Sequence, residues 1–152
     1  MSIALAGQTQ GMVDRHHLHR FVAAQDEDGT YERAIGELRA GRKTSHWMWF
    51  VFPQLAGLGR SPMARRYAIS GLAEAQAYLA HPVLGPRLLE ASRAVADVEV
   101  PSAEEVLGSV DAMKLRSSMT LFARAAPGEP LFGRVLDRFF AGAPDEETGR
   151  RL

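Results

Sequence analysis

Residues 45–54 read SHWMWFVFPQ: two tryptophans, a methionine and two phenylalanines between a histidine and a glutamine. Aromatic side chains favour strands, so the run taken alone fits a buried strand as well as a buried helix. A strand needs a hydrogen-bonded partner, and no other stretch of the chain offers one with convincing alternation. The run is therefore read as a short buried helix over 45–52, capped by Thr44 or Ser45 and ended by Pro53. On a helix Trp47 and Trp49 diverge by about 200°. They cannot face the same neighbour. Trp47 with Phe50 and Val51 suits the interior, and Trp49 with Phe52 and His46 suits a rim.

The flanking sequence supplies helix signals at regular intervals. Asp14 is placed to cap a helix with Leu18, Phe21, Val22 and Gln25 on one face. Thr30 precedes a second helix, striped by Tyr31, Ala34, Ile35 and Leu38 and stopped at Gly41. Ser61 and Pro62 open a helix from Met63 to Ile69. Ser70 caps Leu72 to Leu79, which closes at His81 and Pro82, and Pro86 restarts a helix to about Ala96. Ser102 and Glu105 form a capping box. Asp111 is expected to cap the most regular helix, with Leu115, Ser118, Met119 and Phe122 inside. Pro130 opens the last long helix, whose inner face is Phe132, Val135, Leu136 and Phe139, and Asp145 caps a closing turn. The pattern predicts an all-α, compact single-domain bundle of about seven to nine helices over 13–152, after a disordered N-terminal arm over 1–12.

At 152 residues the chain is long enough for one domain with a real core. Lysine plus arginine equals aspartate plus glutamate, giving a formal charge of zero, so a bulk nucleic-acid partner is not expected. The chain has no cysteine, which rules out disulfides, thiolate metal sites and cysteine nucleophiles. No stretch has the apolar length of a membrane span, and the first residues lack a basic secretory n-region. Cytoplasm is the default expectation. Sixteen of the eighteen basic residues are arginine, leaving only Lys43 and Lys114 as lysines. Codon bias is the plain cause of that ratio. Lysine still offers a compact amine that arginine cannot replace, which singles out both positions.

Several segments together resemble a bacterial family called domain of unknown function 1810. They are LHRFVAAQ at 18–25, SHWMWFVFPQLAGLGRSPMARRYAI at 45–69 and EAQAYLAHPVLGPRL at 74–88. DAMKLRSSMTLF at 111–122, FGRVLDRFFAG at 132–142 and the closing DEETGRRL complete the set. The resemblance implies a compact, all-helical single domain and implies no reaction. Members are sometimes labelled calpastatin-like, but a calpain inhibitor is a disordered repeat protein and this chain is densely patterned.

Three stretches carry candidate chemistry, each beside a plainer reading. His46, Trp49 and Gln54 would form a flat wall with polar ends for a planar ligand, or simply belong to the core. Gly59, Arg60, Ser61 and Arg65 would hold an anion at a helix start, or make an ordinary turn and cap. Lys114, Ser117 and Ser118 would give a polar floor, or pack within a helix and bond its carbonyls. Read as one hollow, they suit a small anionic, planar metabolite such as a nucleotide or an ADP-ribose-like molecule. If the chain is an enzyme, it is read as a metal-independent hydrolase with His46 or Lys114 as acid/base and no cofactor. The alternative is a non-catalytic protein–protein interaction module whose exposed aromatics dock a partner. The histidines at 16–19 are read as a solvated helix surface, and His81 as a helix-boundary residue. Metal-ligand spacing is absent from the sequence. The oligomeric state is not encoded in any motif.

Overall fold

The structure, a computed structural model, describes residues 13–152. The arm expected over 1–12 lies outside the described residues. The expected all-helical class holds: among the described residues regular structure is helical and no strand forms. In chain order the helices are α1 (His19–Asp26), α2 (Thr30–Ala40), α3 (Met48–Val51), α4 (Pro62–Arg66) and α5 (Leu72–Ala80). They continue with α6 (Leu84–Asp97), α7 (Ala103–Leu107), α8 (Ser109–Ala125), α9 (Leu131–Phe140) and α10 (Glu146–Arg151). A 3-10 turn, Glu27–Gly29, joins α1 to α2.

The longest helix, α8, organises the bundle. It packs against α5, α7, α9 and α10, while α6 packs against α2, α5 and α9. The stripe read from the sequence is the buried face: Leu115, Ser118, Met119 and Phe122 are all fully enclosed. Each large apolar side chain buried there contributes roughly 1.5–3 kcal/mol. Aromatic rings link the helices in series. Phe21 meets Tyr78 edge-on at 5.1 Å, Tyr78 meets Phe122 at 5.4 Å, and Phe122 meets Phe132 at 5.9 Å. That chain of contacts ties α1 to α5, α8 and α9. The α2 stripe of Tyr31, Ala34, Ile35 and Leu38 is likewise buried, and Gly41 closes the helix at φ 80°, where a side chain is disfavoured. Gly85 permits a close crossing of α5 and α6, since a Cβ there would stand 2.1 Å from the Leu79 carbonyl oxygen.

Several local expectations are corrected. The helix expected over 45–52 is one turn, Met48–Val51, entered from Trp47 with no side-chain cap. Thr44 and Ser45 do not cap it, because their backbone N–H groups donate to Glu37 Oε1 on α2 at 2.9 and 3.1 Å. Buried Gln25 holds the short turn in place, donating from Nε2 to the Phe50 carbonyl at 2.8 Å and to the Tyr78 hydroxyl at 3.2 Å. Phe52, expected at a rim, is only 1% exposed and packs near Trp47. The helix expected from Met63 to Ile69 stops at Arg66. Beyond it Ile69 forms an isolated parallel bridge with Leu55, accepting from Ala56 N–H at 2.7 Å and donating to the Gln54 carbonyl at 2.8 Å. Helical dihedrals at Ile69 would break that pairing. Asp111 is not a cap either: α8 begins two residues earlier, and the carboxylate faces two lysines.

Candidate functional site

Asp111 lies in the first turn of α8, where the helix dipole favours a negative charge. Its Oδ2 is 3.0 Å from Lys43 Nζ and its Oδ1 is 3.7 Å from Lys114 Nζ. Lys43 Nζ also sits over the Trp47 ring at 5.1 Å, and Lys114 Nζ over the Trp49 ring at 5.4 Å. The two lysines and two tryptophans of the chain thus meet around one carboxylate. A carboxylate and an aromatic face both attract a positive charge, so each ammonium is held from two sides. Lys43 is the more enclosed, with a side chain 10% exposed against 24% for Lys114. Its backbone N–H donates to the Val106 carbonyl at 2.7 Å, fixing the segment after α2 against α7.

Glu37 supports the same cluster from α2. Its carboxylate accepts from Thr44 N–H, Ser45 N–H, Ser45 Oγ and Trp47 Nε1, the last at 2.9 Å. Burial would raise its pKa, but the hydrogen bonds from Ser45, Thr44 and Trp47 outweigh it and hold it at about 2. The buried indole N–H of Trp47 is satisfied by this bond. Trp49, by contrast, is half-buried and packs on the edge of the core.

Of the residues singled out in the sequence, the structure brings Trp49 and Lys114 into contact. His46 is exposed, and its ring makes no hydrogen bond among the described residues. Ser117 donates from Oγ to the Met113 carbonyl at 3.2 Å, one turn back in α8. Ser118 is fully enclosed, and its Oγ has no hydrogen-bond partner among the described residues. The loop residues form a local unit. Ser61 Oγ accepts from Ala64 N–H at 3.1 Å, and a Cβ on Gly59 would fall 2.5 Å from the Ala64 Cβ and 4.0 Å from Gln54 Oε1. The close backbone approach allowed by Gly59 therefore serves Ala64. Arg60 and Arg65 are exposed, with no carboxylate within ion-pair distance among the described residues. Four of the surface clefts among the described residues are lined without His46, Trp49, Lys114 or Ser118.

Sequence reasoning missed Glu37 and gave Asp111 a different job. Glu37 carries no local signal, since its donors follow seven to ten residues later across a turn. Asp111 has one: Lys114 lies at i+3 on the same helix, the spacing of an ion pair. Among the described residues no group of three or more metal-ligating side chains could hold a metal ion, and no helix is long and apolar enough to cross a membrane.

The fold is an all-helical single domain that carries a lysine–carboxylate–tryptophan cluster at the start of α8. The chain belongs to the family described as "Protein of unknown function (DUF1810)", whose model matches residues 15–152. It is similar to the crystal structure of the conserved hypothetical protein Rv1873 from Mycobacterium tuberculosis, with 52% identity and a TM-score of 0.88. That match covers 91% of this chain and 98% of the other. No curated protein matches the chain.

Proposed function

We propose that the chain binds a small, planar, anionic molecule of the nucleotide or ADP-ribose type at the Trp49–Lys114 edge. The observation that carries this reading is the Lys114 ammonium 5.4 Å from the centroid of a half-buried indole. A flat ring can stack on the part of the indole face left exposed, and the ammonium beside it meets the negative group. Lys43 and Lys114 are balanced by Asp111 and Glu37, and Lys114 is the more exposed ammonium, the one placed to meet an anion. Against a serine–lysine nucleophile pair stand the enclosed Ser118 hydroxyl and the engagement of Lys114 with Asp111 rather than with a serine. The test is a panel of nucleotides scored by shift in melting temperature. The reading expects at least one to raise it, and Lys114→Met to remove the rise while the fold survives.

One observation favours a second reading, an interaction module. Val110 and Met113, 66% and 70% exposed, lie on the same turns of α8 as Lys114. If no nucleotide moves the melt and the chain instead elutes as a dimer or captures one protein, the module reading stands.

A further inference from the structure

A second polar centre, sharing no residue with the lysine–tryptophan cluster, lies at the start of α1. Arg20 uses its whole guanidinium on chain segments around it. Nε donates to the Arg66 carbonyl at 2.8 Å, and Nη1 donates to the His16 and His17 carbonyls at 2.6 and 2.9 Å. Nη2 donates to the Ala68 carbonyl at 2.7 Å and to Glu74 Oε2 at 2.9 Å. These bonds fix the 16–17 turn opposite the 66–68 segment and leave a cleft of about 440 Å³ between them. Arg15, His16, His17 and Arg66 line that cleft.

Its charge is one-sided. Among the described residues Glu74 is the one carboxylate in the lining, and it is already engaged: Oε2 takes Arg20, and Oε1 accepts from Ser70 N–H and Oγ. Asp14 and Glu27 line an adjoining cleft that Arg66 also borders, and the Asp14 carboxylate is engaged with the amides of Leu18 and His19 at 2.8 and 3.0 Å. Among the described residues no carboxylate lies within ion-pair distance of Arg15 or Arg66. Arg66 also falls inside a stretch, 38–73, that contains no acidic residue. His17 adopts φ 53°, a left-handed conformation that is strained for a residue with a side chain. Strain of that kind persists where surrounding bonds over-determine the backbone, and here the Arg20 bond to its carbonyl does so.

We propose that this cleft binds the phosphoryl group of a phosphorylated small molecule, with Arg15 and Arg66 as the anion-binding forks and His16 and His17 completing the wall. Planar guanidinium donors match a tetrahedral oxyanion in geometry as well as charge. The Arg20 bonds pre-set the backbone of the walls, which removes part of the ordering cost of binding. The proposal does not depend on the Trp49–Lys114 edge.

The test is amide NMR of the full chain titrated with inorganic phosphate, against sodium chloride at matched ionic strength. Saturable shifts confined to amides near 15–20 and 66–70 are expected, with affinity falling about tenfold in Arg66→Gln and in Arg15→Gln. Both side chains lie outside the core, so both variants should keep the wild-type spectrum elsewhere. Non-saturating shifts, an equal response to chloride, or unchanged affinity in both variants would overturn it.

Discussion

Lys43 and Lys114 stand on opposite oxygens of one carboxylate, Asp111, at 3.0 and 3.7 Å. The shorter pair is also the more enclosed, so solvent screens it less. Double-mutant cycles in urea unfolding are expected to give about 1–2 kcal/mol for Lys43–Asp111 and under about 1 kcal/mol for Lys114–Asp111. Equal coupling in the two cycles would mean that burial does not set the strength of the pairs.

Glu37 gives the fold an acid-sensitive element. Its folded pKa of about 2 lies below the ordinary 4.5, so its contribution is fully present above pH 4.5. That contribution is lost as pH falls from 4.5 toward 2. Allowing for partial exposure, it amounts to about 1–2 kcal/mol. Glu37→Gln should lower stability at pH 7 and flatten this acid limb, as read by unfolding between pH 2 and 7. An acid limb as steep as that of the wild type would assign it to other carboxylates.

Arg20 serves four carbonyls and the buried Glu74. Arg20→Ala leaves Glu74 without its partner and is expected to cost about 3–5 kcal/mol. Arg20→Lys should recover only a minor part, because a single ammonium cannot reach acceptors spread around a planar fork. Full rescue by lysine in a thermal melt would show that charge alone matters there.

Two glycines should respond in opposite directions. Gly36 lies inside α2 with nothing within 4 Å of an added Cβ, so Gly36→Ala should stabilise by about 0.5–1 kcal/mol. Gly85→Ala would drive a methyl into the Leu79 carbonyl and should cost about 3 kcal/mol or more. Chemical denaturation of both variants reads the contrast directly.

Local pattern carried much of the fold into the sequence. The helices α2, α8 and α9 announce themselves by apolar residues at helical spacing, and Gly41 marks a stop by its conformational freedom. The misread parts depend on distant partners. The 45–52 run shortens because Glu37 takes the amides expected to cap it, and α4 stops early because Ile69 pairs with Leu55. Neither partner is visible in a local window. For the site, the scarcity of lysine pointed to Lys43 and Lys114, and the tryptophan spacing separated a core indole from an edge indole. Their meeting on Asp111 is a tertiary contact that spacing alone does not give for Lys43.

Tryptophan fluorescence under nucleotide titration reads the Trp49–Lys114 edge most directly, since Trp47 is fully buried and only Trp49 meets the surface. A saturable change in the wild type, abolished in Trp49→Phe at unchanged melting temperature, is the predicted result. A flat response to every nucleotide in the panel, or the same response from Trp49→Phe, would contradict binding at that edge.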